Sequence, residues 1–268
     1  MNDIIWHNGE FKNDEPILSI HDRLRLGEGL FNTILCIDGT LIHGEEHMQK
    51  LLDNTKFFVE NHGCATPETL VKIAEELLQK NNATQGRNAL NTIFTLGNAC
   101  NGIRTPETPD IQMMMRIQPC TNEFPEIHAI IAQTIRRNEG SPLSQIKCSN
   151  YGDNIIALRE AQNQNANEAI IMNNAGHITC ATTSNIVIIK NGKFITPPLK
   201  DGCQNGITRS ILMKKFEVTE QSITPEDLYT SEGIYLLNSL RGAAPIVTLN
   251  GKTAPKPAIA IDKDFYLH

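Results

Sequence analysis

The residues best able to carry chemistry centre on Lys147, which stands in the run IKCSNY over residues 146–151. A helix-like stretch follows, and then the apolar run NEAIIM over residues 167–172. An uncharged lysine amine can attack a carbonyl carbon and can then carry a proton. Most lysines of a protein are simply exposed, so Lys147 considered alone would be an ordinary surface residue. Its interpretation therefore depends on the elements around it.

Four Asn-Gly or Asp-Gly pairs, each flanked by apolar residues, predict two-residue β-hairpins. These pairs readily adopt the positive φ angles that such turns require. They lie at residues 8–9, 38–39, 191–192 and 250–251. Strands are also predicted over residues 89–96, 111–117, 127–136, 169–172, 185–190, 194–196 and 234–237.

Apolar residues at a period of 3.6 predict a helix from about residue 45 to residue 62, with Gly63 as its stop. A second helix is expected to begin at Thr66, a capping residue that is followed by Pro67 at the first helical position. Two more helices are predicted, over residues 154–163 and 207–216. Helices mixed with hairpins indicate an α+β fold.

The composition is that of an ordinary globular protein, with 268 residues, 40% hydrophobic and 20% charged. A net charge of −6 argues against nucleic acid as a partner, because phosphate binding needs a basic face. No apolar stretch approaches the ~20 residues that span a bilayer, and residues 1–7 lack the features of a signal peptide. Seven cysteines without a CxxC pair favour reduced thiols in the cytoplasm over disulfides or a zinc site.

Several short segments, in the same order and at similar spacing, resemble those of the class IV aminotransferases. These are the fold-type IV enzymes that use pyridoxal 5′-phosphate (PLP). The Lys147 region resembles their cofactor-lysine segment. The other matching segments are RLRLGEGLFNT at residues 23–33, EHMQKL at 46–51, HITCATTSNI at 177–186, TPPL at 196–199 and GITR at 206–209.

The resemblance implies a two-domain architecture like that of D-amino-acid aminotransferase. A small N-terminal α/β domain would cover residues 1–118, and an interdomain linker would cover residues 119–126. A larger domain over residues 127–268 would hold Lys147. The family is commonly homodimeric, so a homodimer is expected, with a small molecule as substrate and no membrane partner.

The resemblance also assigns cofactor roles. Lys147 would supply the amine that bonds to PLP. Backbone N–H groups of Ile207 and Thr208 would face the phosphate at a helix N-terminus, where an anion is favoured. Ser239 falls at a further phosphate position and Tyr151 at a position near the cofactor. The alternatives are a plain helix cap at residues 206–208 and a core tyrosine at Tyr151.

Two positions depart from the family pattern. Lys50 stands where the family has a phosphate-binding arginine. A lysine there keeps the positive charge but lacks the two-pronged guanidinium. Cys180 stands where the family has the glutamate that pairs with the protonated pyridine nitrogen. A thiol cannot enforce that protonation, so the ring would be a weaker electron sink. Cys180 could equally be a small core residue in a chain that has lost PLP chemistry.

The run NSLRGAAPIV over residues 238–247 resembles the pattern of aminodeoxychorismate lyases more than that of branched-chain aminotransferases. Those lyases release pyruvate from 4-amino-4-deoxychorismate and leave 4-aminobenzoate for folate synthesis. Asn32 and Thr33 would face the substrate from the small domain, and Arg241 is a candidate for binding a carboxylate. The alternative for Arg241 is a surface-loop residue.

Two alternatives stay open: a branched-chain or D-amino-acid aminotransferase, and a repurposed protein without PLP chemistry. The D-amino-acid subgroup has an Arg-x-His carboxylate trap, and residues 95–103 contain neither an arginine nor a histidine at the matching positions. Arg104 lies one step beyond and could substitute. The arginine that both this subgroup and the lyases have after the preceding threonine is Leu96 here.

Overall fold

A computed structural model of the protein describes residues 4–14, 18–98 and 102–267, so part of the stretch that was compared with the carboxylate trap, residues 95–103, lies outside it. The chain forms two compact units. The N-terminal unit comprises Met1–Asn122 with Lys147–Asn150, and the C-terminal unit comprises Glu123–Ile146 with Tyr151–His268. No helix within the described residues has the length and apolarity to cross a membrane.

The N-terminal unit is built on a six-stranded antiparallel sheet, in the spatial order β2-β1-β6-β5-β3-β4. Two α-helices connect its strands. The elements are β1 (Ile4–His7), β2 (Glu10–Asn13), β3 (Gly29–Ile37), β4 (Thr40–Leu41), α1 (Gly44–Asn54), α2 (Pro67–Lys80), β5 (Arg87–Thr95) and β6 (Gln112–Pro119).

The helices α1 and α2 pack on each other and against one face of this sheet. The burial of side chains along β3 shows which face the helices cover, because Leu30 and Ile34 are fully buried whereas Phe31 and Thr33 are partly exposed. The face that carries Phe31 and Thr33 is therefore the one that the helices leave uncovered.

The C-terminal unit contains a nine-stranded mixed sheet with the path β12-β11-β10-β13-β14-β7-β8-β9, and β15 pairs with β14. Three helices accompany it. The elements are β7 (Ile127–Ile131), α3 (Gly152–Asn163), β8 (Glu168–Met172), β9 (Ile178–Ala181), β10 (Asn185–Lys190), β11 (Lys193–Thr196), α4 (Ile207–Lys215), β12 (Val218–Glu220), α5 (Pro225–Thr230), β13 (Ile234–Asn238), β14 (Gly242–Leu249) and β15 (Lys252–Thr253).

Alternating side chains give this sheet two apolar faces. One face forms a large core that includes Ile170, Ile188 and Leu236, all at most 1% exposed. The other face packs Ala169 and Ile171 of β8 against α3. A strand buried on both faces explains why β8 reads as a continuous apolar run after its first residue.

All four predicted hairpin turns are confirmed. Their first residues have φ angles between 47° and 53° and their glycines between 70° and 97°. These turns join β1 to β2, β3 to β4, β10 to β11 and β14 to β15. The α+β architecture is confirmed with them.

Two predicted elements are shorter than expected. The first helix ends at Asn54 and is followed by a 3-10 turn over Thr55–Phe57, where the Thr55 hydroxyl bonds to the Leu52 carbonyl at 2.7 Å. The strand predicted over residues 127–136 ends at Ile131. The chain then bends because the Glu160 carboxylate accepts hydrogen bonds from the backbone of residues 133 and 134.

Candidate functional site

The segment that carries Lys147 lies along the edge of β3 in the N-terminal unit. The Phe31 N–H donates to the Lys147 carbonyl at 3.0 Å, and the Ser149 N–H donates to the Gly29 carbonyl at 2.9 Å. These bonds form an antiparallel bridge between Leu30 and Cys148. This explains why Lys147–Asn150 groups with the N-terminal unit, whereas the sequence placed Lys147 in the larger domain.

Two glycines at the start of β3, one just before the strand and one as its first residue, make room for this segment. A Cβ atom at Gly27 would lie 1.7 Å from Oδ1 of Asn150, and Gly27 also has a φ of +77°. A Cβ atom at Gly29 would lie 2.8 Å from the Phe94 carbonyl oxygen and 3.1 Å from the Ser149 hydroxyl. The glycines of GEG are thus required by the close approach of a distant part of the chain.

The Lys147 ammonium lies over an aromatic ring. Its Nζ atom is 4.4 Å from the centre of the Phe31 ring. Contact with the ring face stabilises the cation and holds the side chain on the helix-free face of the sheet. Lys147 is half-buried there, so its amine remains accessible to a reactant.

The charges of Lys50 and Lys147 both lower the pKa of His47, a buried residue of α1. Burial, together with the nearby charges of His43, Lys50 and Lys147, lowers the pKa of His47 to about 3. His47 is therefore neutral at pH 7. The two lysines, from α1 and from the edge of β3, give this part of the unit a positive potential that suits an anion.

Asn32 and Thr33 lie on opposite faces of the sheet, so the two cannot contact one substrate from the same face. Asn32 points towards α1, where its Nδ2 donates to the His47 carbonyl at 3.3 Å. Its Oδ1 is buried without a hydrogen-bond partner among the described residues. Thr33 lies on the helix-free face and its hydroxyl bonds to Oδ1 of Asn91 at 3.1 Å.

Cys180 lies in the C-terminal unit, in β9, with 4% exposure. The Thr179 hydroxyl is 3.5 Å from its sulfur. The segment after Cys180 is held by Glu168, whose carboxylate accepts from the Ala169 N–H at 2.9 Å, from the Thr182 N–H at 3.0 Å and from the Thr182 hydroxyl. Glu168 was not among the predicted site residues. Its signal in the sequence is a carboxylate at the first position of an otherwise apolar strand.

The N-terminus of α4 is open to an anion. Gly206 precedes the helix and no side chain caps it, so the first N–H groups, including those of Ile207 and Thr208, point outwards. Asn185 shapes the approach to the helix, since its Nδ2 donates to the Gln204 carbonyl at 2.7 Å. A Cβ atom at Gly206 would lie 2.1 Å from the Asn185 Oδ1.

We expect Gly206→Ala to weaken phosphate binding at α4. The added methyl group displaces the Asn185 amide, and the loss of its bond to Gln204 moves the N–H groups by more than a cofactor phosphate tolerates. Loss of one such hydrogen bond corresponds to about a 10-fold weaker Kd for PLP. Fluorescence titration of PLP measures this. Gly152→Ala is the matched control, because nothing lies within 4 Å of its Cβ position. Equal affinity for both variants would contradict the assignment.

The turn after β13 positions Ser239 and Arg241. Asn238 fixes the turn, because its Oδ1 accepts from the backbone N–H groups of Leu240 at 3.1 Å and Arg241 at 2.8 Å. Its Nδ2 donates to the Ser184 hydroxyl at 3.1 Å. The turn is thereby tied to the residue that precedes β10.

The guanidinium of Arg241 is half-buried and lies 5.0 Å from the centre of the Phe124 ring. Burial lowers its pKa, and the charge of Glu168 opposes that shift. Its Nε atom is buried without a hydrogen-bond partner among the residues that the structure describes. A carboxylate would satisfy this donor.

Tyr151 immediately precedes α3 and is partly exposed. Its carbonyl accepts from the Ile155 N–H at 3.0 Å, which starts the helix. The structure thus places Tyr151 at the start of α3. Its role near the cofactor stays a prediction.

Comparison with known proteins adds to this geometry. Residues 29–249 match the sequence profile of the amino-transferase class IV family. The chain is 27% identical over 256 residues to a Methanocaldococcus jannaschii protein provisionally named branched-chain-amino-acid aminotransferase, covering 92% of this chain and 88% of the relative. It is 26% identical over 260 residues to the D-alanine aminotransferase of Staphylococcus epidermidis, covering 92% and 89%.

A solved structure also matches most of the chain. The crystal structure of a Legionella pneumophila protein provisionally named 4-amino-4-deoxychorismate lyase superposes with a TM-score of 0.85. The two sequences are 25% identical, and the match covers 94% of this chain and 93% of the other.

Proposed function

Because the chain belongs to the class IV aminotransferases, enzymes that work with PLP, we propose that it is a lyase of the 4-amino-4-deoxychorismate type. Such a lyase releases pyruvate and leaves 4-aminobenzoate. The observation that carries this proposal is the turn over residues 238–242, which resembles that of the lyases and holds Arg241 with an unsatisfied buried donor. The substrate of such an enzyme carries carboxylates that a guanidinium binds in two-pronged fashion.

The residues present suit two parts of the cofactor. The open N-terminus of α4 and the obstructed Cβ position at Gly206 form a cradle for a phosphate. Lys147 presents a half-buried amine for the aldehyde. The pyridine nitrogen of the cofactor would lack the partner that the family provides, because Cys180 offers it no carboxylate.

When bound, PLP supplies an aldehyde that takes up the substrate amine and a ring that accepts electrons from an adjacent bond. The chain's own residues do the rest. Ile207 and Thr208 hold the phosphate through backbone N–H groups, and Arg241 orients the substrate through a carboxylate. The Lys147 amine would take a proton from the carbon that bears the substrate amine and would return one as pyruvate leaves.

We expect Cys180→Glu to accelerate the step in which Lys147 removes a proton. The introduced carboxylate favours a protonated ring nitrogen, which makes the ring a stronger electron sink. A gain of about 10-fold corresponds to about 1.4 kcal/mol in the barrier. Single-turnover kinetics measures the rate. Cys180→Gln has a similar size without the charge and serves as the control. An unchanged or lower rate for Cys180→Glu would contradict the placement of Cys180 at the ring nitrogen.

An aminotransferase of small amino acids is the second candidate, and the curated relatives favour it. One pair of assays separates the two functions. Pyruvate release from 4-amino-4-deoxychorismate without an amino acceptor supports the lyase. Conversion of bound PLP to its amine form by D-alanine or leucine, with no pyruvate released from 4-amino-4-deoxychorismate, supports the aminotransferase.

We also propose that the protein acts as a homodimer, as the resemblance to the family implies. Light scattering coupled to size-exclusion chromatography should give a mass twice that of the chain. A mass equal to that of one chain at micromolar concentration would overturn this proposal.

A further inference from the structure

A cavity of about 770 Å³ opens on the helix-free face of the N-terminal sheet. All residues that line it belong to the N-terminal unit. We call it the sheet cavity and define it by six of its lining residues: Phe31, Asn91, Ile93, Met114, Arg116 and Gln118. Its volume is in the range of ordinary small-molecule sites.

Strand register divides the floor of the sheet cavity into two rows. Phe31, Ile93 and Met114 face one another across β3, β5 and β6 and form an apolar row. Two residues further along β3, a polar row begins, in which Asn91 lies opposite Arg116. Side chains of both rows point to the same face because they are two residues apart on each strand.

The apolar row connects the cavity to the reactive lysine. Phe31 is both a wall of the sheet cavity and the ring on which the Lys147 ammonium lies, at 4.4 Å. From strand spacing, the Cα atoms of Phe31 and Arg116 are roughly 12 Å apart, two strands across and two residues along. A ligand the size of one substituted ring fits between the lysine end and the arginine end.

Arg116 supplies a positive charge at the far end. Its Nη2 donates to the Gln118 side chain at 2.7 Å, a neutral acceptor. Among the described residues no carboxylate forms an ion pair with it, although Asp14 also lines the cavity. Arg116 is exposed, and its guanidinium has donors left for a ligand carboxylate.

We infer that the sheet cavity takes the part of the substrate remote from its amine, and that Arg116 binds an acidic group there. This inference rests on the proposed function in one respect, since it takes Lys147 as the residue at the amine-bearing carbon of the substrate. The cavity and Arg116 would select amines that carry a carboxylate on their far side over amino acids with a purely aliphatic side chain. Arg116 is then a specificity-determining residue.

Direct binding of two probes tests this without turnover. Isothermal titration calorimetry of the PLP-loaded protein would compare isophthalate, with two carboxylates on a ring, with benzoate, which has one. A charge-assisted hydrogen bond to the second carboxylate should make isophthalate bind about 10-fold more tightly. We expect Arg116→Gln to abolish this preference, Arg116→Lys to retain part of it, and Asp14→Asn to increase it.

Arg159→Gln is the matched control, because Arg159 is an exposed arginine on α3 in the other unit. It should leave both affinities unchanged. The inference is overturned if isophthalate binds no better than benzoate, or if its preference survives in Arg116→Gln. Failure of the proposed lyase function looks different. In that case no pyruvate is released, while the isophthalate preference and its loss in Arg116→Gln remain.

Discussion

Replacing Lys147 by alanine should lower turnover by about 10³-fold or more, whichever of the two candidate reactions the enzyme catalyses. The lysine both bonds to the cofactor and moves the proton, and a positioned acid-base group alone contributes roughly 10² to 10⁴ in rate. Steady-state assays of pyruvate release and of amino-group transfer measure the loss.

Folding should survive this change, because the backbone of residue 147 makes the bond to Phe31 and the side chain lies only on the ring face. Circular dichroism and the melting temperature check that point. Lys193→Ala, at an exposed lysine of β11, is the control for loss of a positive charge. Retention of more than a tenth of the activity in Lys147→Ala would show that the catalytic amine lies elsewhere.

Glu168→Ala should destabilise the C-terminal unit by about 3 kcal/mol. The buried carboxylate accepts from the Thr182 hydroxyl, which alanine leaves without this partner in the interior, and it shares the Thr182 N–H with the Ala169 carbonyl. A loss of this size corresponds to a fall in melting temperature of roughly 10 °C. Differential scanning calorimetry measures it.

Glu217→Ala is the control, since Glu217 is exposed between α4 and β12. Glu168→Gln should lie between the two, because the amide keeps an acceptor but not the charge. If Glu168→Ala melts within a degree or two of the native protein, the Thr182 hydroxyl has another acceptor and Glu168 does not hold the segment after Cys180.

Local patterns predicted much of the fold. The Asn-Gly and Asp-Gly turns fixed four hairpins, because few other pairs adopt both φ angles. Thr66 and Pro67 marked the start of α2 correctly. The start of α5 carried a similar signal that was not used, since Thr224 and Asp227 form a reciprocal capping pair with Pro225 at the first position.

What sequence patterns did not predict depends on contacts between distant segments. The pairing of residues 147–149 with β3 joins parts of the chain more than a hundred residues apart, and no local period encodes it. The sheet cavity also arises from register, which brings Arg116 beside Asn91. The opposite orientations of Asn32 and Thr33, in contrast, follow from strand alternation and were within reach of the sequence.

The most direct test of the account is borohydride reduction of the purified protein with added PLP, followed by peptide mass mapping. The account predicts an absorbance band of lysine-bound cofactor before reduction and a stable label on Lys147 after it. Neither a band nor a label, or a label on another lysine, would contradict the account. A label that also disappears in Gly206→Ala at limiting PLP would connect the lysine chemistry to the phosphate cradle at α4.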